Sequence, residues 1–291
     1  MKKILFLFSF LFALNLYAQQ DLKWLKIKKY KVATLSDSLK ETSGLTFFRD
    51  KLYTINDGGN SSEVFEIDKS SGKILDVIKT DLKNKDWEAI TSDSTNIYIG
   101  DFGNNAGTRK DLKIYKIPFK DSVKIDSIQE IPFFYPEQKD FEPKNINNDF
   151  DAEAMIFLNG KIHLFTKEWI SKSVTHYTVN PNVFVQQPAE KIESFKTDFV
   201  VTDASYFDKK LYLVGYTKNT EVFLSIFGET EPGIFFNQKP VKYYIGSSLS
   251  VGQIEGISVN EDGIYISGEE FKSPLGKVKQ SLYFIPREKL R

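Results

Sequence analysis

Short segments in which apolar and polar residues alternate run through the whole chain and recur at regular intervals. The clearest of them are LYTIND, IYIGDF, IHLFTK, LYLVGY and IYISGE, each with the pattern of a strand that buries one face. Each follows a shorter apolar segment that begins with an acidic and a small residue. Long apolar stripes at helical spacing are absent from the sequence, so we predict an all-β protein.

The acid-led segments divide the chain into five similar units, which begin at Glu41, Glu88, Glu153, Asp203 and Glu255. Units of about fifty residues with about four strands each are typical of a β-propeller, in which each unit forms one blade. The last unit has only three recognisable strands, whereas residues 24–35 read as a strand without a unit of its own. Because pairing a terminal strand into the last blade removes open edges, we predict five blades closed by this N-terminal strand. Six blades is the alternative. Residues 133–148 lengthen the second unit, and we interpret them as an insertion or a long crossing between blades.

The first residues have the composition of a targeting segment. Lys2 and Lys3 supply positive charge, residues 4–14 are mostly apolar, and Ala18 is a small residue before a cleavage position. The apolar run is shorter than the roughly 20 residues that a membrane helix needs. We therefore predict a signal peptide over residues 1–18 and a single propeller domain over residues 19–291, without a transmembrane segment. The mature protein is predicted to be secreted or periplasmic, with association with the cell surface left open.

Composition and motifs exclude several classes of function. Lys and Arg together number 39, as do Asp and Glu, so no net charge attracts nucleic acid. The absence of cysteine excludes thiolate metal sites and a cysteine nucleophile. The two histidines are His163, which alternates within a strand, and His176. No serine stands in a Gly-x-Ser-x-Gly motif, so a serine-hydrolase triad is not indicated.

The acids that begin the units are the first candidate site. The first strand of each blade lines the axis of a propeller, so residues at equivalent positions form a ring. Carboxylates facing one another repel unless a cation lies among them, and an all-oxygen cluster favours Ca²⁺ over zinc. We predict calcium ligands at Glu41, Glu88, Glu153, Asp203 and Glu255. The alternative is structural: each acid accepts backbone N–H groups and joins neighbouring blades.

A second candidate group lies where the second strands end. These side chains point to a ligand-binding pocket on one face of the propeller, with loop formation and surface solubility as the alternative roles. The predicted ligand-binding residues are Asp57, Asp101, Asn104, Lys167, Glu168 and Glu269.

The first two units resemble known propeller families. Glu41-Thr-Ser-Gly-Leu, the segment from Leu52 to Asp57, Val64-Phe-Glu-Ile-Asp with Gly72-Lys73, and Asp86-Trp-Glu-Ala-Ile are similar to motifs of the SdiA-regulated and phytase-like extracellular β-propellers. The resemblance covers residues 38–110 and continues beyond them only as the acid and small-residue motif. It implies acidic residues that face the axis and hold calcium, here Glu41, Glu88, Glu153 and Glu255. The motif around Asp203 departs from the family's pattern.

Two functions follow as hypotheses. The first is a non-catalytic binding or scaffold module at the cell envelope, stabilised by calcium, with an envelope protein or a glycan as its partner. The alternative is a calcium-dependent hydrolase of phosphate esters or a related small substrate, in which Glu88, Glu153 and Glu255 hold the metal. That activity requires basic residues near the acids, and the candidates are Lys83, Lys85, Arg109 and Lys167.

Overall fold

The computed structural model describes residues 22–119, 128–274 and 276–290, and the predicted signal peptide at residues 1–18 lies outside them. Nearly all regular structure in these residues is β-strand, as the alternating pattern predicts. The only α-helix among them is a single turn, α1 (Ser248–Val251). Three 3₁₀ helices span Ile27–Tyr30, Asp37–Leu39 and Arg287–Lys289. No helix in the described part of the chain is both long and apolar enough to cross a membrane. The strands are, in chain order, β1 (Leu22–Trp24), β2 (Lys31–Thr34), β3 (Thr42–Phe48), β4 (Lys51–Asn56), β5 (Glu63–Ile67), β6 (Ile74–Lys79), β7 (Trp87–Ser92), β8 (Asn96–Asp101), β9 (Lys113–Pro118), β10 (Gln129–Phe134), β11 (Ala152–Leu158), β12 (Lys161–Thr166), β13 (Val174–Val179), β14 (Gln187–Pro188), β15 (Glu190–Phe195), β16 (Val200–Phe207), β17 (Lys210–Tyr216), β18 (Glu221–Gly228), β19 (Val241–Ser247), β20 (Gln253–Val259), β21 (Gly263–Glu269), β22 (Phe271–Ser273), β23 (Gly276–Val278) and β24 (Ser281–Pro286).

The strands form the five predicted blades. Blade one is β3-β4-β5-β6, blade two is β7-β8-β9-β10 with β14 added at its edge, and blade three is β11-β12-β13-β15. Blade four is β16-β17-β18-β19 with β1 added, and blade five is β20-β21-β24-β2. The hairpin β22-β23 stands apart from the blades. The inner strands β3, β7, β11, β16 and β20 contact one another around a closed ring. A five-bladed propeller is therefore confirmed, and six blades is wrong.

The N-terminal segment closes the ring, but it is not the single strand predicted over residues 24–35. β2 pairs antiparallel with β24, so that Thr34 lies opposite Ser281, and this supplies the fourth strand of blade five. The preceding β1 instead pairs in parallel with β19 of blade four. Leu25 and Ile27 are buried between these two blades, so the chain leaves the strand direction at this point to place both side chains in the core.

The long crossing after blade two is shorter than predicted. Phe133 and Phe134 belong to β10, the outer strand of blade two, and Phe133 lies opposite Gln187 of β14. Residues 135–151 then lead to the inner strand of blade three without a strand of their own.

The hydrophobic core consists of layers between neighbouring blades. One apolar cluster joins each adjacent pair: blades one and two, two and three, three and four, four and five, and five and one. Trp87, which is fully buried, packs in the first of these layers, as is typical of a large aromatic residue next to a blade start.

Candidate metal centre at the propeller axis

Each inner strand has a β-bulge, and pairing with the second strand aligns the blades residue by residue. A bulge places two residues of one strand opposite one residue of its partner. In blade two, for example, the register shifts between Trp87 and Ala89. Counted from the pair that contains the sixth residue of each second strand (Trp87 with Asp101 in blade two, Thr42 with Asn56 in blade one), the residues that share the position of Glu88 are Ser43, Glu153, Thr202 and Glu255. In blade one the unpaired residue of the bulge is the next one, Gly44.

The next position is Gly or Ala in four of the five inner strands, because the strands meet closely at the axis. A Cβ atom on Gly44 would lie 2.9 Å from the backbone nitrogen of Ile90, in the neighbouring blade. The equivalent residues are Ala89, Ala154 and Gly256, and Asp203 occupies this position in blade four.

Two further positions contribute side chains, most of them polar, to the same end of the axis. One lies two residues before the position of Glu88, and the other is the seventh residue counted from the start of the second strand. The first set is Glu41, Asp86, Asp151, Val200 and Gln253; the second set is Asp57, Phe102, Lys167, Tyr216 and Glu269.

Together these positions form the axial acid cluster, which consists of Lys167 and seven carboxylates: Asp57, Asp86, Glu88, Asp151, Glu153, Glu255 and Glu269. The carboxylates of Glu88, Asp151, Glu153 and Glu255 lie at its buried floor. Asp57, Asp86 and Glu269 are half-buried and lie nearer to solvent. The cluster therefore extends from buried carboxylates to carboxylates that water reaches in part.

Lys167 is the cation at the centre of the cluster. Its Nζ lies 3.0 Å from Oε2 of Glu153, and both side chains are buried. The ring of Tyr216 lies 5.7 Å from the same Nζ, and the Tyr216 hydroxyl donates a hydrogen bond of 3.2 Å to Oε1 of Glu255. Nε2 of Gln253 donates to the same oxygen at 2.7 Å.

One lysine does not neutralise seven carboxylates, and the pKa values of several of these carboxylates are accordingly raised. Burial, together with the nearby charges of Asp86 and Glu255, raises the pKa of Asp57 to about 7. Burial also raises the pKa of Asp151 to about 6 and, together with the charge of Glu153, raises the pKa of Glu88 well above its usual value. Burial lowers the pKa of Lys167, but the carboxylates, Glu153 foremost, outweigh burial and raise it.

Asp57, Asp86 and Glu88 have the geometry of a cation site. One carboxylate oxygen from each lies within 4.8 Å of the other two. The backbone approaches these carboxylates at Gly58 and Gly103, where a Cβ atom would overlap Asp86 and, at Gly103, also Glu88. Nearby, Oδ2 of Asp151 and Oε1 of Glu153 are buried without a hydrogen-bond partner. Three close carboxylates, with further unpaired carboxylate oxygens nearby, fit a hard divalent cation such as Ca²⁺.

Glu41 and Asp203, two of the predicted calcium ligands, lie outside this geometry. Glu41 is equivalent to Asp86 rather than to Glu88, and it is exposed at the rim, where Oε2 accepts a hydrogen bond of 2.6 Å from Asn60. Asp203 is fully buried one position beyond the bulge. Its Oδ2 accepts backbone N–H groups from Ile257 in blade five (2.7 Å) and Leu45 in blade one (3.3 Å), which is the structural alternative stated above.

Asp101 and Asn104 hold the loop that follows β8 in place. The guanidinium group of Arg109 donates to Oδ1 of Asp101 at 2.9 Å and to the Gly103 carbonyl at 3.0 Å. The Asn104 side chain accepts from the Arg109 backbone N–H and donates to the Phe150 carbonyl. Since these groups are satisfied within the protein, their observed contacts are structural, and they position Gly103 against the axial acid cluster.

Both carboxylate oxygens of Glu168 likewise accept hydrogen bonds from neighbouring hydroxyl groups. Its Oε1 accepts from Thr166 (2.7 Å) and Thr175 (2.6 Å), and Oε2 accepts from Ser171. Of the six predicted ligand-binding residues, the structure therefore brings Asp57, Lys167 and Glu269 into the axial acid cluster. Among the other basic candidates, Lys85 pairs with Asp111 at the surface, and Arg109 is bound to Asp101.

The sequence reasoning did not select Asp86, Asp151, Gln253 or Tyr216. A signal for three of them was present, since Asp86-Trp-Glu88, Asp151-Ala-Glu153 and Gln253-Ile-Glu255 repeat a polar residue two positions before the glutamate. Residues two apart on a strand point to the same side of the sheet. This repeat would therefore have identified Asp86, Asp151 and Gln253 as neighbours of the glutamates.

The fold and the site define a five-bladed β-propeller with a cluster of acidic side chains at one end of its axis. No protein-family model matches the chain, and no curated protein matches it. Among solved structures, the chain is similar to the crystal structure of the RRP9 WD40 repeats, at 13% sequence identity and a TM-score of 0.42. That match covers 84% of this chain and 67% of the RRP9 chain.

Proposed function

We propose that this protein is a secreted binding module that holds Ca²⁺ in the axial acid cluster and presents the surrounding loops to a partner at the cell envelope. The observation that carries the proposal is the trio Asp57, Asp86 and Glu88, whose carboxylate oxygens lie within 4.8 Å of one another. A cation at this point offsets the repulsion among the carboxylates and connects blades one and two.

The donor set favours calcium over a transition metal. All the candidate ligands are carboxylate oxygens, which suit Ca²⁺, whereas zinc sites use His or Cys. The two histidines, His163 and His176, pair with each other away from the cluster, with 2.7 Å between their ring nitrogens. The predicted signal peptide would direct the chain to a compartment where calcium is plentiful, and the resemblance of residues 38–110 to SdiA-regulated and phytase-like propellers agrees with a calcium role.

Thermal unfolding of the mature protein in excess EDTA and in excess Ca²⁺ tests the proposal. A ligand present at 100 times its dissociation constant adds about 2.7 kcal/mol of stability, a shift that is easily measured. Glu88→Gln should abolish the calcium-dependent shift. Glu261→Gln, an exposed acid in the turn before β21, should retain it. Equal melting temperatures in EDTA and Ca²⁺ for the wild-type protein would refute calcium binding.

A calcium-dependent hydrolase is the second candidate, and the partial exposure of Asp57 and Asp86 favours it. Three carboxylates supply fewer than the six to eight oxygens that Ca²⁺ takes, so water or a substrate oxygen would complete the coordination. Lys167 would then stabilise a nearby anionic group. Turnover of p-nitrophenyl phosphate in Ca²⁺ that disappears with Glu88→Gln would support this candidate. Calcium binding without any turnover would leave the binding module as the function.

A further inference from the structure

A separate cavity of about 310 Å³ lies beside the outer strand of blade two. Aromatic side chains from the end of β10 and from the segment that follows it form its walls. Its volume falls in the range of small-molecule binding sites. The aromatic lining residues are Phe133, Phe134, Tyr135 and Phe141.

The charge of the lining is entirely positive. The cavity is lined by Arg109, Lys110 and Lys139, and no Asp or Glu is among its described lining residues. Arg109 is already committed to Asp101 and Asp111, with which it forms ion pairs of 2.9 and 3.2 Å.

The two lysines differ from Arg109 because neither forms an ion pair with a carboxylate of the described residues. Nζ of Lys110 lies 4.7 Å from the centre of the Phe141 ring, so one ammonium group is held against the aromatic wall. Lys139 is exposed beside it along the same lining. Cations next to an apolar cavity complement a ligand that carries one negative charge on an apolar body.

Phe134 adds an apolar surface that is exposed to solvent. Its side chain is 39% exposed at the cavity, whereas the neighbouring Phe133 and Tyr135 are buried. A ligand that covers this ring removes apolar surface from water, which favours binding.

We propose that this cavity binds a small amphipathic monoanion, an aromatic or acyl carboxylate. Its apolar body would lie among Phe133, Phe134 and Phe141, and its carboxylate would face Lys110 and Lys139. The site is distinct from the axial acid cluster and does not depend on calcium.

Titration calorimetry with 2-naphthoate, and with its neutral analogue 2-naphthamide, tests the proposal. We expect 2-naphthoate to bind about tenfold more tightly, because two lysines contribute about twofold to fivefold each. Lys110→Gln and Lys139→Gln should each reduce naphthoate affinity by about twofold to fivefold and leave naphthamide affinity unchanged. Phe134→Ala should weaken both ligands by about threefold to tenfold. EDTA should change none of these values.

The matched control is Lys79→Gln, which removes an exposed lysine from the outer strand of blade one. It should bind naphthoate as the wild-type protein does. Equal affinity for the acid and the amide, equal losses in Lys79→Gln and Lys110→Gln, or no binding of naphthoate at millimolar concentration would each overturn the proposal. An effect of EDTA on naphthoate binding would place the ligand at the axial acid cluster instead and would also overturn it.

Discussion

Lys167 and Glu153 form a buried ion pair at the axis, with Nζ 3.0 Å from Oε2. The lysine follows the second strand of blade three, and the glutamate occupies the bulge of the first strand of the same blade. A buried pair of this kind depends on both members, because removing one leaves the other charged without a partner. Here the remaining charge would lie among further carboxylates, so the lysine limits their repulsion.

Lys167→Met should therefore destabilise the calcium-free protein. We expect a loss of about 3–5 kcal/mol in the free energy of unfolding, measured by urea denaturation in EDTA at pH 7. Lys167→Arg keeps the charge and should lose less. If Lys167→Met unfolds at the same urea concentration as the wild-type protein, the pair contributes no net stability and the electrostatic account of the cluster is wrong.

The trio that we propose for calcium makes a different prediction from the ring of unit-starting acids. Asp86→Asn should remove the calcium-dependent rise in melting temperature, since it replaces one of three close carboxylates. It should also raise the stability of the protein in EDTA, because it removes a repelling charge.

Glu41→Gln is the matched comparison, because Glu41 holds the equivalent position in blade one yet is exposed. It should leave the calcium response unchanged. Loss of that response in Glu41→Gln would return Glu41 to the ligand set and contradict the present assignment.

Much of the fold could be predicted from the sequence, because strand alternation and repeat spacing are local signals. Glu88, Glu153 and Glu255 were correctly recognised as equivalent, since each follows the same pattern in its unit. In blade one the sequence pattern places Glu41 at the position of Glu88, because both acids begin a unit. Strand pairing shows that Ser43, two residues further along, is the equivalent of Glu88. The acidic side chain of Glu41 was the misleading signal, and the strand pairing gives the correct alignment of blade one.

The composition of the cluster was harder to predict for a second reason. Lys167 and Asp57 directly follow second strands, and which residue at such a strand end faces the axis depends on the length and register of the strand. Asp101 and Glu168 lie one residue to either side of the axial position, and there Arg109 and the hydroxyl groups of Thr166 and Thr175 bind them instead. A shift of one residue along a strand reverses the direction of a side chain.

Gly103 provides a test that changes no charge. An added Cβ atom would overlap the carboxylates of Asp86 and Glu88, so Gly103→Ala should displace two of the proposed ligands. We expect a smaller calcium-dependent shift in melting temperature and a loss of about 1–3 kcal/mol in stability. Gly228 is the control, because a Cβ atom there meets nothing within 4 Å, and Gly228→Ala should change stability by less than about 0.5 kcal/mol. An unchanged calcium response in Gly103→Ala would contradict the proposed position of the ion.

Asp203 should affect stability without affecting calcium. Its carboxylate accepts N–H groups from Leu45 and Ile257, so it connects blade four to blades one and five. Asp203→Ala leaves both donors buried without an acceptor and should cost about 3 kcal/mol, measured by urea denaturation. Asp203→Asn retains an acceptor oxygen and should cost less. The calcium-dependent shift should persist in Asp203→Asn, and its disappearance would indicate that Asp203 is a ligand after all.

The buried histidine pair should make the protein sensitive to acid. Burial and the charge of His176 lower the pKa of His163 to about 4, and burial also lowers the pKa of His176. The unfolded chain therefore binds protons on these residues below about pH 6.5, where the folded protein keeps them neutral. Stability contributed by the neutral pair is fully present above about pH 6.5 and is lost as the pH falls from there toward 4.

For His163 alone we expect a loss of about 2 kcal/mol between pH 7 and pH 4.5. The measurement compares urea unfolding of the wild-type protein and His163→Gln at both pH values. The variant is less stable at pH 7, because it disrupts the contact of His163 with His176, but its stability should depend less on pH. The comparison of slopes separates this effect from the carboxylates of the axial acid cluster, whose raised pKa values act in the opposite direction and are present in both proteins. If the two proteins lose stability equally between pH 7 and pH 4.5, protonation of His163 is not the cause.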